Sequence, residues 1–448
     1  MTLADTVHAQ QSRIRADLAD LVAIPSVSAD PARLDQVHRS AEAVAALLTD
    51  AGCPDVRIVA ADGMPAIIGR YPAPAGQPTV CLYAHHDVQP EGDPAAWVTP
   101  AFVATERGDR LHGRGSADDK GGFAVHLAAL RAFDGRPPVG VTVFVEGEEE
   151  IGSPSLERLL AQERDALAAD VFVIADSGNW EVGAPAFTTS LRGLADCIVT
   201  VSTLDHAIHS GSFGGPVPDA LTALCRLLAT LHDERGDVAV AGLAVAEPPA
   251  LDYPEDRLRA ESGLLDGVSL TGTGTVAERL WCKPALAVIA LSTTQVAQAS
   301  NTLIPSAQAK ISLRVAPGDD ADAALEHLAR HLREHAPWGA HVDVARGDTG
   351  QPSRIPFEGP YAEVAQAAFR EAWSTDAVFL GQGGSIPMVA AFRDAFPDAT
   401  VLVTAVGDPD SRPHGANESV HLGDLERACV AEALMLERFA EVAGSDEG

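Results

Sequence analysis

The stretch VCLYAHHDVQP, Val80 to Pro90, ends an apolar run on His85, His86 and Asp87. Side chains alternate along a strand, so His85 and Asp87 project to the same side, where one can bind a metal and the other can steer it. Such residues also close ordinary turns. LHGRGSADDKGG, Leu111 to Gly122, sets Asp118 and Asp119 before a helix. Carboxylates there cap the helix and complement its dipole, yet two of them beside a lysine and glycines exceed what a cap requires. VFVEGEEEIGS crowds Glu146, Glu148, Glu149 and Glu150 behind a buried strand, where mutual repulsion is costly unless cations compensate. Neighbouring residues point in different directions, so one glutamate can ligate a metal while the next faces the water. Asp176 ends VFVIAD and His414 lies in SRPHGANES, and each alone is an ordinary turn residue. Taken together, His85, Asp118, Glu150, Asp176 and His414 are two imidazoles and three carboxylates. That set suits two divalent ions sharing a bridging carboxylate.

Positioning such a set calls for an α/β sheet. From Val56 to Asp176 strand and helix patterns alternate: VRIVAADG, PAIIGRYP, TVCLYA, a helix from Gly122 to Phe133, VGVTVFVEG, a helix from Ser155 to Leu167, and DVFVIAD. Short buried strands joined by helices imply an α/β/α arrangement, in which sites gather at strand carboxyl ends. His85, Glu146 to Glu150 and Asp176 all stand where an apolar run stops. After Thr189 the texture changes to strand (GLADCIVTVS), helix (Pro218 to Glu234), strands (ALAVIALST, AQAKISLRVAP), helix (Asp320 to His335) and strand (AHVDVARGD). This order is the ferredoxin-like split arrangement. The expectation is therefore a catalytic domain in two parts, residues 1–189 and 349–448, with an α+β domain inserted at 190–348. The first domain resumes with helices from Pro360 to Trp373, Ile386 to Phe396 and Leu422 to Val442, around the strands AVFLGQGG and ATVLVTAVG.

The 448 residues exceed a single ordinary core. No apolar run approaches the roughly 20 residues of a bilayer-spanning helix, so no membrane partner is expected. The N-terminal segment carries apolar residues at helical spacing without a basic region leading into an apolar one, which fits a cytoplasmic protein. Sixty-three acidic against 32 basic residues give a formal charge of -31, which repels polyanions and excludes nucleic acid as an expected partner. Six cysteines without a C-x-x-C pair make neither a thiolate zinc site nor a disulfide framework. Any metal here must be held by imidazole and carboxylate.

In order, YAHHDVQP, LHGRGSADDKGG, VEGEEEIGS, HSGSFGG, ASNTLIPSAQAKISLRVAP, GGSIP and RPHGANE resemble the motifs of the dinuclear-metal exopeptidase family. That family includes cytosolic nonspecific dipeptidase, carnosine dipeptidase, carboxypeptidase G, aminoacylase and succinyl-diaminopimelate desuccinylase. The likeness runs from Val80 to Glu418 and is greatest to the dipeptidase branch. It implies that His85 and Asp176 hold one divalent ion, that Glu150 and His414 hold the other, and that Asp118 bridges the two. It further implies Asp87 as the carboxylate orienting His85, Glu149 as general base, and a cis peptide between Asp118 and Asp119. His209, Asn301, Thr302, Arg314, Gly384 and Ser385 fall where the family contacts substrate, and His209 where a histidine of the inserted lid and dimerisation domain reaches a partner subunit's site. His86 stands where relatives often carry an apolar residue, and His112, His126 and His206 match no ligand position.

The implied chemistry is amide hydrolysis. Two zinc ions, with manganese or cobalt also compatible with these ligands, roughly 3.5–4 Å apart, lower the pKa of a shared water to about 7. Glu149 takes its proton and passes it to the leaving nitrogen. Arg314 offers a fork of donors to a terminal carboxylate. The expected substrate is a dipeptide or other short molecule with a free C-terminal carboxylate, the alternative being an N-acyl- or N-succinyl-amino acid, and the expected assembly is a homodimer.

Overall fold

A computed structural model describes residues 2–384 and 386–442. The chain forms two compact units: the described residues of Met1–Thr189, Ile355–Leu380 and Ile386–Gly448 make one, and those of Ser190–Arg354 and Gly381–Ser385 the other. The expected end of the insertion at 348 falls inside the strand His341–Gly350. The last residues of that strand still pair with Ala195 and Leu194, and the unit runs on to Arg354.

The first unit is built on a mixed sheet. Thr79–His85 lies at its centre, parallel to both Gly140–Glu146 and Val171–Ile174, and Thr400–Val403 continues the parallel set beyond Val171–Ile174. Ala66–Tyr71 and Asp55–Val59 add antiparallel strands on one side. Every residue from Val80 to His85 is fully buried, because helices cover both faces of the sheet, and such strands read as continuous apolar runs. Alternation divides the faces. Val80, Leu82 and Ala84 join a core with the helices Leu3–Val22, Lys120–Ala132, Pro360–Trp373 and Leu422–Val442. Tyr83, Phe144 and Phe172 turn to the other side, where their rings meet Phe392 of the helix Pro387–Ala395. The expected single helix from Ser155 to Leu167 is two, Leu156–Gln162 and Arg164–Leu167, broken at Glu163. No described helix is long and apolar enough to cross a membrane.

His126 ties this unit together beneath the site. Its Nδ1 lies 2.9 Å from Glu432 and its Nε2 2.9 Å from the carbonyl oxygen of Tyr83, so both ring nitrogens face acceptors only and both must donate. Burial alone would pull its pKa down, but the charge of Glu432 and its hydrogen bond hold it above the ordinary 6.5. A raised pKa in the folded state means stabilisation that is complete below about pH 6.5 and fades as pH rises through the elevated value. Urea unfolding of wild type and His126→Gln across this range should show their difference in stability shrinking towards alkaline pH. A gap independent of pH would show that the imidazolium contributes nothing.

The second unit carries a four-stranded antiparallel sheet in the order Ala285–Ser292, Ser306–Val315, Gly193–Ser202, His341–Gly350. Two helices, Ala220–Leu228 and Ala321–Glu334, pack Leu224, Leu227, Leu325 and Leu328 onto Cys197, Val199, Ile311 and Leu313. The first helix is shorter than the expected Pro218 to Glu234. Asp219 caps it by accepting from the Thr222 backbone at 2.9 Å, and a tighter turn, Ala229–Leu231, ends it. At the edge of the sheet, Ala285–Ser292 exposes Val288, Ile289 and Leu291.

Candidate functional site

Parallel pairing brings the ligand candidates level. Tyr83 pairs with Ile174, so two residues further on His85 and Asp176 leave their strands side by side, while His85 itself pairs with Glu146. Asp118 arrives in the turn before the helix Lys120–Ala132, Glu150 in the short turn Glu149–Ile151, and His414 in the loop ahead of Ser419–His421. Possible ligand atoms of His85, Asp118 and Asp176 lie within 4.8 Å of one another, and so do those of Asp118, Glu150 and His414. The two triads share Asp118. Its Oδ1 is 3.1 Å from His85 Nε2 and its Oδ2 3.0 Å from His414 Nε2, so each oxygen faces one group. Asp176 Oδ1 is 3.9 Å from His85 Nε2, and Glu150 Oε2 is 3.3 Å from His414 Nε2.

The electrostatics are those of a site with surplus negative charge. Burial, with the charges of Asp118 and Glu150, pushes Asp176 up to about 7 against the pull of His85. Burial and Asp176 likewise hold the Glu149 carboxyl well above its usual range. Hydrogen bonds to Asp118 and Glu150 raise His414 to about 10. Burial opposes ionisation of Asp118 too, but its contacts with His414 and His85 win and hold it below the ordinary carboxylate range. Divalent cations would relieve this repulsion. The donor set, two imidazoles and three carboxylates without sulfur, fits two such ions.

Around the ligands the structure is closely fixed. Asp87 is fully buried, with its carbonyl oxygen 3.1 Å and its Oδ1 3.4 Å from His85 Nδ1, and its carboxylate accepts the backbone N–H of Glu149 and Glu150 at 3.2 and 3.1 Å. The peptide between Asp118 and Asp119 is cis. Asp119 precedes the helix but makes no side-chain cap; its Oδ2 accepts the N–H of His85 at 3.2 Å instead. His86 turns away, Nε2 bonded to the carbonyl of Pro65. Of the glutamates, Glu148 is engaged on both oxygens: Oε2 accepts from Met64 at 3.0 Å, and Oε1 from the backbone and hydroxyl of Ser155. Glu146 accepts from the Ser153 hydroxyl. The Glu149 carboxylate has no hydrogen-bond partner among the described residues.

Sequence reasoning passed over Glu418. This wholly buried carboxylate pairs with Arg114 Nη1 at 2.6 Å and accepts the N–H groups of Gly115, Ala117 and Asp118 at 3.0 to 3.1 Å. It thereby joins the loop of His414 to the turn of Asp118. In that loop Arg412, His414 and Asn417 all hold positive φ, a conformation that non-glycine residues keep only where surroundings enforce it. Asn417 supplies part of the enforcement, accepting from Val98 N at 2.6 Å and donating to Ala96 O at 2.9 Å. The only sequence trace of Glu418 is its place at the end of RPHGANE.

The remaining candidates among the described residues belong to the second unit. His209 and Thr302 pair directly in a two-residue ladder, and the carbonyl of Asn301 accepts from Ser210. Arg314 stands on Ser306–Val315 in the alternation opposite to the core residues Leu313 and Val315. A side chain at Gly384 would meet nothing within 4 Å. Ser385 lies outside the described residues.

The model of peptidase family M20/M25/M40 matches residues 81–438. The sequence is 34% identical over 433 residues, 95% of each chain, to a cysteinylglycine-S-conjugate dipeptidase of Corynebacterium striatum. It is 28% identical to the beta-Ala-His dipeptidase of Homo sapiens, over 80% of this chain and 74% of that one. Among solved structures, the di-peptidase Dug1p of Saccharomyces cerevisiae superimposes with a TM-score of 0.82 at 23% identity, covering 98% of both chains. Human carnosine dipeptidase 1 does so with 0.79 at 25% identity, over 98% of this chain and 99% of that one.

Proposed function

Because the chain belongs to peptidase family M20/M25/M40, we propose that this metallopeptidase is a dinuclear dipeptidase, cleaving the amide bond of dipeptides or similarly short substrates with a free C-terminal carboxylate. The observation that carries this reading is the pair of ligand triads sharing Asp118 beside an unengaged Glu149. His85 and Asp176 would hold one ion, Glu150 and His414 the other, and Asp118 both. When bound, such ions supply Lewis acidity, polarising the scissile carbonyl and making water a nucleophile at neutral pH. Glu149 receives the proton of the attacking water and returns it to the departing nitrogen. Asp87 fixes the His85 ring through Nδ1, which holds Nε2 towards the triad.

In the second unit, Arg314 offers a planar fork to the substrate's terminal carboxylate and His209 a donor to the developing oxyanion, with Asn301, Thr302, Gly384 and Ser385 as further contacts. The names of the relatives support dipeptides over N-acyl- or N-succinyl-amino acids. Homodimerisation through the inserted unit is supported by the apolar edge strand Ala285–Ser292, a surface that proteins normally cover. A cytoplasmic setting is supported by the absence of any disulfide among the described residues. Chelated protein should recover activity on adding zinc, manganese or cobalt, and should then turn over free-amine dipeptides faster than acetylated or succinylated amino acids. The reverse preference would move the protein to the acylamino-acid branch, and full activity without metal would end the dinuclear reading.

A further inference from the structure

The segment that follows the central strand serves both ion sites. Asp87 attends to His85. Two residues on, Gln89 attends to Glu150, and does so three times: its backbone N–H donates to Oε1 at 3.1 Å, its side-chain amide to Oε2 at 2.7 Å, and the same amide nitrogen to the Glu150 carbonyl at 3.2 Å. Oε2 is the oxygen 3.3 Å from His414 Nε2. One amide group therefore straddles the carboxylate and the backbone of the same glutamate, which fixes the Glu150 side chain about its torsions.

This grip depends on a segment that is itself held. Val88 N donates to Ser26 O at 3.0 Å, the Ser26 hydroxyl donates to His86 O at 2.6 Å, and Glu91 is paired with Arg33 through two bonds of 2.7 and 2.8 Å. Resting on the dinuclear reading above, we propose that Gln89 is a positioning residue for the second ion alone, holding Glu150 ready for an ion shared with His414 and Asp118 and leaving the His85 and Asp176 site untouched. The second site needs such a device more. His85 is fully buried at the end of a central strand, whereas the His414 side chain is exposed and, although its loop backbone is braced, meets only Asp118 and Glu150 among the described residues, so Glu150 is the ligand of that pair whose side chain is held from outside the triad.

The test is a cobalt titration of metal-free protein followed by visible absorption, with His414→Ala identifying the step that belongs to the second site. Gln89→Met keeps the length of the side chain and the backbone donor while removing the amide. It is expected to weaken the second step by about 10–100-fold, the usual effect of losing an outer hydrogen bond to a ligand, and to change its absorption band, with the first step unmoved. Gln89→Asn, one methylene short of Oε2, should behave like Gln89→Met. Equal weakening of both steps would reduce Gln89 to a structural residue, and two unchanged steps would show that Glu150 needs no help; either overturns the proposal. A wild-type titration that ends at one ion would instead remove the dinuclear reading, and the proposal with it.

Discussion

Glu149→Gln is expected to bind its metal ions with unchanged affinity and to lose a factor on the order of 10²–10⁴ or more in turnover, the usual worth of a positioned proton carrier. The substitution keeps size and polarity and removes only the capacity to take a proton. The choice of Glu149 rests on what its neighbours already do. Glu148 spends both oxygens on Met64 and Ser155, next to the start of the helix Leu156–Gln162, and Glu146 holds Ser153. Glu150 is occupied by Gln89 and faces His414. Glu149 alone of the four has an unengaged carboxylate among the described residues, and the charge of Asp176 acts on it directly. Glu148→Gln should accordingly lower the melting temperature more than kcat. Metal content and kcat measured on both variants decide the matter: near-normal turnover in Glu149→Gln with an inactive, well-folded Glu148→Gln would place the base one residue earlier.

Much of this was legible in the sequence for a definite physical reason. Strands buried on both faces are apolar throughout, so the residue at which an apolar run stops is the residue at the rim of the sheet. TVCLYA, VGVTVFVE and VFVI announced His85, the glutamate cluster and Asp176 in this way, and their parallel pairing places those ends together. Asp118 and Asp119 were visible as more than a cap, and Asp119 in fact leaves the helix uncapped and binds the backbone of His85. What escaped has no periodicity to betray it. Glu418 acts on Arg114 and on backbone N–H groups some 300 positions earlier in the chain, a separation at which no spacing links the partners. Gln89 is a neutral amide on a loop, and its role depends on where Glu150 comes to rest. The stretch between the helix Ala220–Leu228 and the strand Ala285–Ser292 holds a helix, Glu255–Ser262, that buries none of its residues, so no apolar periodicity announced it, and the left-handed Gly263 ends it.

Mixing inactive Glu149→Gln with inactive His209→Ala, under conditions that let subunits exchange, is expected to restore activity. The reasoning starts from the division of labour in the chain. All five ligand candidates and Glu149 belong to one unit, while His209 belongs to the other, on an exposed two-residue ladder with Thr302. An imidazole assigned to the oxyanion must therefore come either from its own chain or from a second copy. The apolar edge at Val288, Ile289 and Leu291 lies in the same unit as His209 and supports the second copy, and symmetric dimers are the commonest assembly. In a mixed dimer with shared sites, one site gathers both substitutions and is doubly defective, while the other combines an intact Glu149 from one chain with an intact His209 from its partner. Half of the dimers in a random one-to-one mixture are mixed, and each has one working site, so recovery should approach about a quarter of wild-type activity. If each chain supplies its own histidine, every site in every dimer keeps one lesion and nothing returns. Labelled subunits can show whether exchange has occurred, and continued inactivity in a fully exchanged mixture would assign His209 to its own chain's site.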